Sequence, residues 1–152
     1  MHLLTRTHIT LATAFFAFLA FLDAAYLTIV HYRHIIPPCS VSGSCETVLT
    51  SQYAVVFGIP IALIGALYYV FLLALLILSH ETRQRLLTQV TFFFTSMALV
   101  ISIILIFVQA EMLHMFCQYC LFVEALNTLI WILSLLQLVV KRYRHDIPVI
   151  AS

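Results

Sequence analysis

Two cysteines three apart, in Cys117-Gln118-Tyr119-Cys120, stand at the mouth of the last long apolar segment of the chain. Thiols at this spacing open and close as a disulfide. At a helix start, the partial positive charge of the N-terminus favours the thiolate that exchanges electrons. Thiol–disulfide chemistry is therefore the first activity these residues point to. A second close pair, Cys39 and Cys45, lies upstream. Four thiols allow three connectivities, with pairing by proximity as the default.

The elements that must position these thiols belong to a membrane protein. The chain is 64% hydrophobic and 9% charged, far from the averages of soluble domains. Its formal charge of +1 offers no large basic surface, which argues against nucleic acid as a partner. Four apolar runs, 9–30, 59–79, 86–110 and 117–140, are each long enough to span a hydrocarbon core of about 30 Å. The fold class expected is all-α, a four-transmembrane-helix bundle forming one domain over 1–152. The first run is too long for a typical signal-peptide core and is expected to stay.

Between the first two spans, residues 31–57 shift to Pro37-Pro38, Ser40, Ser42-Gly43-Ser44 and Ser51-Gln52, the composition of a long connection that leaves the bilayer. Ser44 is placed to cap a short amphipathic helix over 45–53, with Val48, Leu49 and Tyr53 on its membrane side. Gly58-Ile59-Pro60 is expected to open the second span, and Gly58, Ala62 and Ala66 recur at the spacing that lets helices approach closely in lipid. Arg6, Arg83, Arg85, Lys141, Arg142 and Arg144 fall on one side of this topology, with Arg33 opposite. The positive-inside rule then places both termini in the cytoplasm and both cysteine pairs outside, at the cell (inner) membrane. Few residues follow the last span, so any soluble redox partner is expected as a separate chain.

In this arrangement Cys117 sits near the helix cap, where it meets proteins. Cys120 lies a turn deeper, where it meets a lipid-soluble oxidant. A tight Cys39–Cys45 ring in the loop would be readily reduced, which suits a shuttle. The relay expected runs from a reduced partner to the loop pair, on to Cys117/Cys120, and then to a membrane-dissolved acceptor. A two-electron dithiol couple among apolar helices calls for a quinone. Tyr53, Phe57, Phe116, Tyr119 and Phe122 are the aromatic candidates to sandwich its ring. Asp23 and Glu124 share a depth of roughly 10 Å below the outer surface, and Cys120, Glu124 and Asn127 share one helix face. Intramembrane carboxyls are costly and face the bundle interior, so Glu124 and Asp23 are expected to hydrogen-bond the quinone or pass it protons. The alternative is that they only bond neighbouring helices.

Seven histidines, with His31, His34 and His114 near the outer cysteines, raise a metal site as a lesser alternative. Covalent haem is disfavoured, because Leu121 follows Cys120 where that attachment wants histidine.

The residues resemble the vitamin K epoxide reductase family in its short prokaryotic form, without a fused thioredoxin-like domain. The resemblance lies in Cys45-Glu46-Thr47-Val48-Leu49-Thr50-Ser51-Gln52-Tyr53-Ala54, in Phe57-Gly58-Ile59-Pro60-Ile61-Ala62 with Gly65, and in Phe116-Cys117-Gln118-Tyr119-Cys120-Leu121. It implies a four-helix bundle around a quinone such as menaquinone or ubiquinone. Cys39 and Cys45 would be the loop pair, Cys117 the centre cysteine receiving electrons, Cys120 the one reducing quinone, and Ser51 a loop serine near the centre. It also implies a thioredoxin-like partner that inserts disulfides into exported proteins. Animal relatives reduce vitamin K quinone and epoxide instead. Where those have a tyrosine one turn beyond the second centre cysteine, this chain has Glu124, which counts against their substrate preference.

Two rivals differ in order or class. The DsbB type of quinone-coupled oxidase carries its Cys-x-x-Cys pair in the first outer loop, whereas here the spaced pair comes first. A non-catalytic membrane component with structural disulfides or a metal site predicts no bound quinone and no loss of function when Cys120 is removed.

Overall fold

The computed structural model describes residues 2–39, 44–82 and 84–146, with side chains over 7–39, 45–82 and 84–142. A long helix α1 (His2–Arg33) is followed by a short helix α2 (Ser44–Leu49), a 3-10 turn (Gln52–Ala54) and a small hairpin of β1 (Val55–Val56) and β2 (Ile59–Pro60). Then come α3 (Ile61–Thr82), α4 (Arg85–Phe107) with a π-helical turn over Val108–Met112, and α5 (Gln118–Asp146). Four of these stretches, Thr7–Arg33, Ile61–Thr82, Arg85–Met112 and Gln118–Arg142, are long and apolar enough to cross a membrane.

Packing follows from which side chains are small. Along α1, Thr13, Ala17, Ala20, Ala24, Leu27 and Val30 are buried at helical spacing, and the alanines let α3 come close. A methyl group placed on Gly65 would stand 3.9 Å from the Ala24 Cβ, ordinary contact distance. Leu72, Leu76 and Ile130 complete the core between α1, α3 and α5. The seam between α4 and α5 is different. The buried side chains of α4 are Thr88, Thr91, Thr95 and Ser102. Across the bundle, Asn127 Nδ2 donates to Ser102 Oγ at 2.7 Å, Trp131 Nε1 to Ser96 Oγ at 3.0 Å, and Gln137 Nε2 to Thr13 Oγ1 at 3.0 Å. Where lipid provides no competing donors, such bonds tie helices together. By contrast α3 and α4, neighbours in sequence, touch sparingly. Phe71 and Phe94 meet edge to face there, centroids 5.0 Å apart.

The spans fall where the apolar runs predict, with altered ends. The second run starts later than expected: Val55 pairs with Pro60 and Val56 with Ile59, so α3 begins at Ile61. Phe57 and Gly58, with φ of 52° and 80°, make the tight turn of that hairpin. Left-handed residues at both central positions match the twist of a two-residue hairpin. Gly58 is thus a turn residue, not part of the small-residue face; Ala66 is buried as expected. The expected helix over 45–53 ends at Leu49 and resumes as the 3-10 turn. The third run continues past 110 by widening into the π turn, and the last runs on beyond 140. Ser40, Ser42, Gly43 and Arg83 lie outside the described residues, as do the side chains of Arg6 and Arg144.

Candidate functional site

Cys39 and Cys45 form a disulfide, with Cα atoms 6.2 Å apart, while Cys117 and Cys120 are free thiols. α2 turns Cys45 and Val48 inward, and these two form one buried cluster with Cys117. Cys39, Leu49, Leu113, Tyr119 and Cys120 pack against it. The two pairs, 72 residues apart from Cys45 to Cys117 (117 − 45), are therefore brought together at one end of the bundle. α5 holds the loop in place: Tyr119 Oη and Gln118 Nε2 donate to the Pro38 carbonyl at 2.9 and 3.4 Å, one residue before Cys39.

Cys117 occupies the N-cap of α5. Its carbonyl accepts the Leu121 N–H at 2.9 Å, and its sulfur accepts the Cys120 N–H at 3.5 Å, where a serine oxygen would sit in an ordinary cap. The Cys117 side is sealed, with 0% of the residue exposed. Its thiol is held below the usual thiol range: the hydrogen bond from the Cys120 thiol contributes most, burial opposes it, and the backbone N–H groups of Cys120 and Tyr119 add to the lowering.

Beside this cluster, between α3 and α4 and roofed by α2 and the hairpin, lies a largely apolar cavity of about 390 Å³. Cys120 is the one cysteine that lines it. Ser51, Tyr53 and Glu124, expected at the site, also line it. The Ser51 hydroxyl donates to the Val48 carbonyl at 2.8 Å, closing the end of α2. Glu124 is 6% exposed, with Oε2 unpartnered, and Asn127, one turn on, leaves Oδ1 unpartnered.

The other expected residues stand elsewhere. Phe57 is fully exposed at the hairpin tip, because the turn throws its side chain away from the bundle. Phe116 is exposed just before the α5 cap, and Phe122, two residues past Cys120, lies on the opposite face of the helix. Tyr119 packs against Tyr26, ring centroids 5.6 Å apart, and holds the loop instead of the cavity. Asp23 does not line the cavity either; its Oδ2 is buried and unpartnered on α1. In their place the aromatic wall comes from Tyr68, Tyr69 and Phe94, and the polar points include Ser102 and Gln109. Ser102 and Gln109 were recognisable as isolated polar residues seven apart in an apolar run. The tyrosines carried no such mark. Among the described residues no three His, Cys, Asp or Glu side chains converge as metal ligands.

The profile of the Vitamin K epoxide reductase family matches residues 11–135. The chain belongs to this family. No curated protein matches it. As a vitamin K epoxide reductase family member with four apolar spanning helices, it is an integral membrane protein and an oxidoreductase of quinone-linked thiol chemistry. The cavity fits the quinone that the family implies. Its volume lies in the range of about 300–1,000 Å³ usual for small-molecule sites. Its walls are apolar and aromatic, and it is edged by the buried, unpartnered Glu124 and Asn127 oxygens.

Proposed function

We propose that the protein oxidises a thioredoxin-like extracytoplasmic partner, a separate chain, through Cys39/Cys45. The electrons pass to Cys117/Cys120 and then to a lipid quinone such as menaquinone or ubiquinone, which supports disulfide formation. The observation that carries this reading is the single cluster joining both cysteine pairs, with Cys120 opening onto the cavity.

The chemistry balances step by step. A partner dithiol attacks the Cys39–Cys45 disulfide through a mixed disulfide, leaving the partner oxidised and the loop pair as two thiols. Cys39, the more exposed of the two, faces the partner; Cys45, 1% exposed, faces Cys117. A Cys45 thiolate then attacks Cys117 of an oxidised centre, Cys39 resolves the mixed disulfide, and Cys117/Cys120 end as thiols. A bound quinone supplies a two-electron, two-proton acceptor. Cys120 lines the cavity and gives up the electron pair as its bond to Cys117 closes, while Cys117, held as thiolate by its cap, is the sulfur ready to close it. Tyr53, Tyr68, Tyr69 and Phe94 hold the ring. Glu124 holds a proton at its unpartnered oxygen. Asp23, off the cavity on α1, keeps a supporting part at most. The positive charge of Arg85, Lys141 and Arg142 at the far end supports, by the positive-inside rule, cytoplasmic termini and extracytoplasmic cysteines.

Purified protein given a reduced thioredoxin-like dithiol and a quinone should bleach the quinone absorbance. Cys39→Ala, Cys45→Ala, Cys117→Ala and Cys120→Ala should each abolish it. Undiminished quinol production by Cys120→Ala would reject the assigned route.

A further inference from the structure

Gln109 reaches from the cavity wall to the cap that holds Cys117. Its side-chain Oε1 accepts the backbone N–H of Cys117 at 2.9 Å, in a fully buried bond. Its main-chain carbonyl accepts the Met115 N–H at 3.2 Å. One residue therefore holds two points of the short segment that delivers the chain into the α5 cap. It does so from the π turn, a local widening of the helix that is rare and concentrates at functional sites. Gln109 is also a wall residue of the cavity and only 3% exposed.

We propose that Gln109 is a positioning residue for Cys117 whose remaining amide donors face the carbonyl-bearing ring in the cavity, so that one side chain links ligand and sulfur. The proposal rests on the quinone-linked reading above. With Oε1 engaged by Cys117, the amide has only its NH₂ group left, and that group is a donor. The side chain makes no other hydrogen bond among the described residues. Along α4, Gln109 stands about 10 Å nearer the cysteines than Ser102. Ser102 marks the Glu124 and Asn127 end of the cavity. A ring with acceptor oxygens on opposite sides then meets an amide donor at the roof and the carboxyl at the floor. Without the Oε1 contact, the Cys117 N–H is a buried orphan, the cap loosens, and the sulfur loses its alignment with the Cys120 N–H.

The test compares Gln109→Leu, Gln109→Glu and Gln137→Leu with the wild type. Gln137, also a buried glutamine, bonds Thr13 at the far end of the bundle and controls for lost helix bridging. The first readout is alkylation of Cys117 against pH in reduced, quinone-free protein, resolved by peptide mass spectrometry. The second is the KM for a short-chain quinone. Gln109→Leu is expected to lose roughly two- to ten-fold in alkylation rate at pH 7, with its midpoint moved upward, and to raise KM by a similar factor. Gln109→Glu keeps an acceptor for the Cys117 N–H but sets a negative charge beside the thiolate, so its midpoint should also rise. Gln137→Leu should leave both readouts unchanged. A wild-type alkylation profile in both Gln109 variants, or an equal shift in Gln137→Leu, would overturn the proposal. If the wild type reduced no quinone, the reading of the preceding section would fall, while the alkylation profiles would still decide for or against Gln109.

Discussion

The two ends of the bundle treat buried polar groups in opposite ways. At the end away from the cysteines, polar side chains find partners across the helices: Gln137 with Thr13, Trp131 with Ser96, and Lys141 with Thr88 at 3.0 Å and with the Gln84 carbonyl at 2.6 Å. Ser134 is the exception there, with its hydroxyl unpartnered. At the cysteine end, Glu124 Oε2, Asn127 Oδ1 and Tyr68 Oη are buried without partners in or near an apolar cavity. His34, Phe57 and His114 carry left-handed backbone at the same end. Satisfied polar groups in lipid are glue between helices; unsatisfied ones around a cavity wait for a ligand. On the proposed quinone-linked reading, the contrast separates polarity that holds helices together from polarity that meets a ligand.

That contrast can be broken by substitution. The largest effect expected is at Cys120. Cys120→Ala should abolish quinone reduction, and it should also move the alkylation midpoint of Cys117 upward, because the Cys120 thiol contributes most to holding that thiolate. The sign is fixed by the chemistry: below the midpoint Cys117 is protonated and unreactive, so at neutral pH the variant should alkylate more slowly. Next comes Glu124→Gln, which keeps the size but cannot release a proton. Its quinone turnover should fall by about ten-fold or more, with a flattened pH dependence, as expected for the loss of a general acid–base group. Unchanged turnover and an unchanged pH profile would return Glu124 to the class of helix glue. Gln137→Leu, at the other end, should lower stability by about 1 kcal/mol in a detergent melt and leave turnover intact. Smallest of all, Phe57→Ala should change neither turnover nor melting beyond about 0.5 kcal/mol, since its side chain is fully exposed.

The spans and the cysteine logic were legible in the sequence because both are local signals. Length and hydropathy mark a helix in lipid, and a Cys-x-x-Cys at a helix start carries its chemistry in its spacing. Glu124, Ser51 and Tyr53, which line the cavity, could be singled out because a carboxyl in a span, or a residue on the loop beside a cysteine, stands out by type. The aromatic wall was not legible. Phe57, Phe116, Tyr119 and Phe122 lie close in sequence to the cysteines, yet the hairpin turn and the rotation of α5 face them elsewhere. Tyr68, Tyr69 and Phe94 reach the cavity because α3 and α4 stand apart, a tertiary fact with no local signature. The hairpin escaped because Gly58 and Pro60 read equally well as a helix entry. Gln109 was missed for a different reason: its partner is a backbone N–H eight residues on, across a π turn that no periodicity announces.

The measurement that reaches furthest into this account is a cysteine-trapping experiment on Cys39→Ala/Cys120→Ala, which leaves Cys45 and Cys117 as the two thiols. If the buried cluster is the junction between shuttle and centre, mild oxidation should close an intramolecular Cys45–Cys117 disulfide in nearly every molecule, seen as one cross-linked peptide. Free thiols after oxidation, or disulfides formed only between molecules, would contradict it.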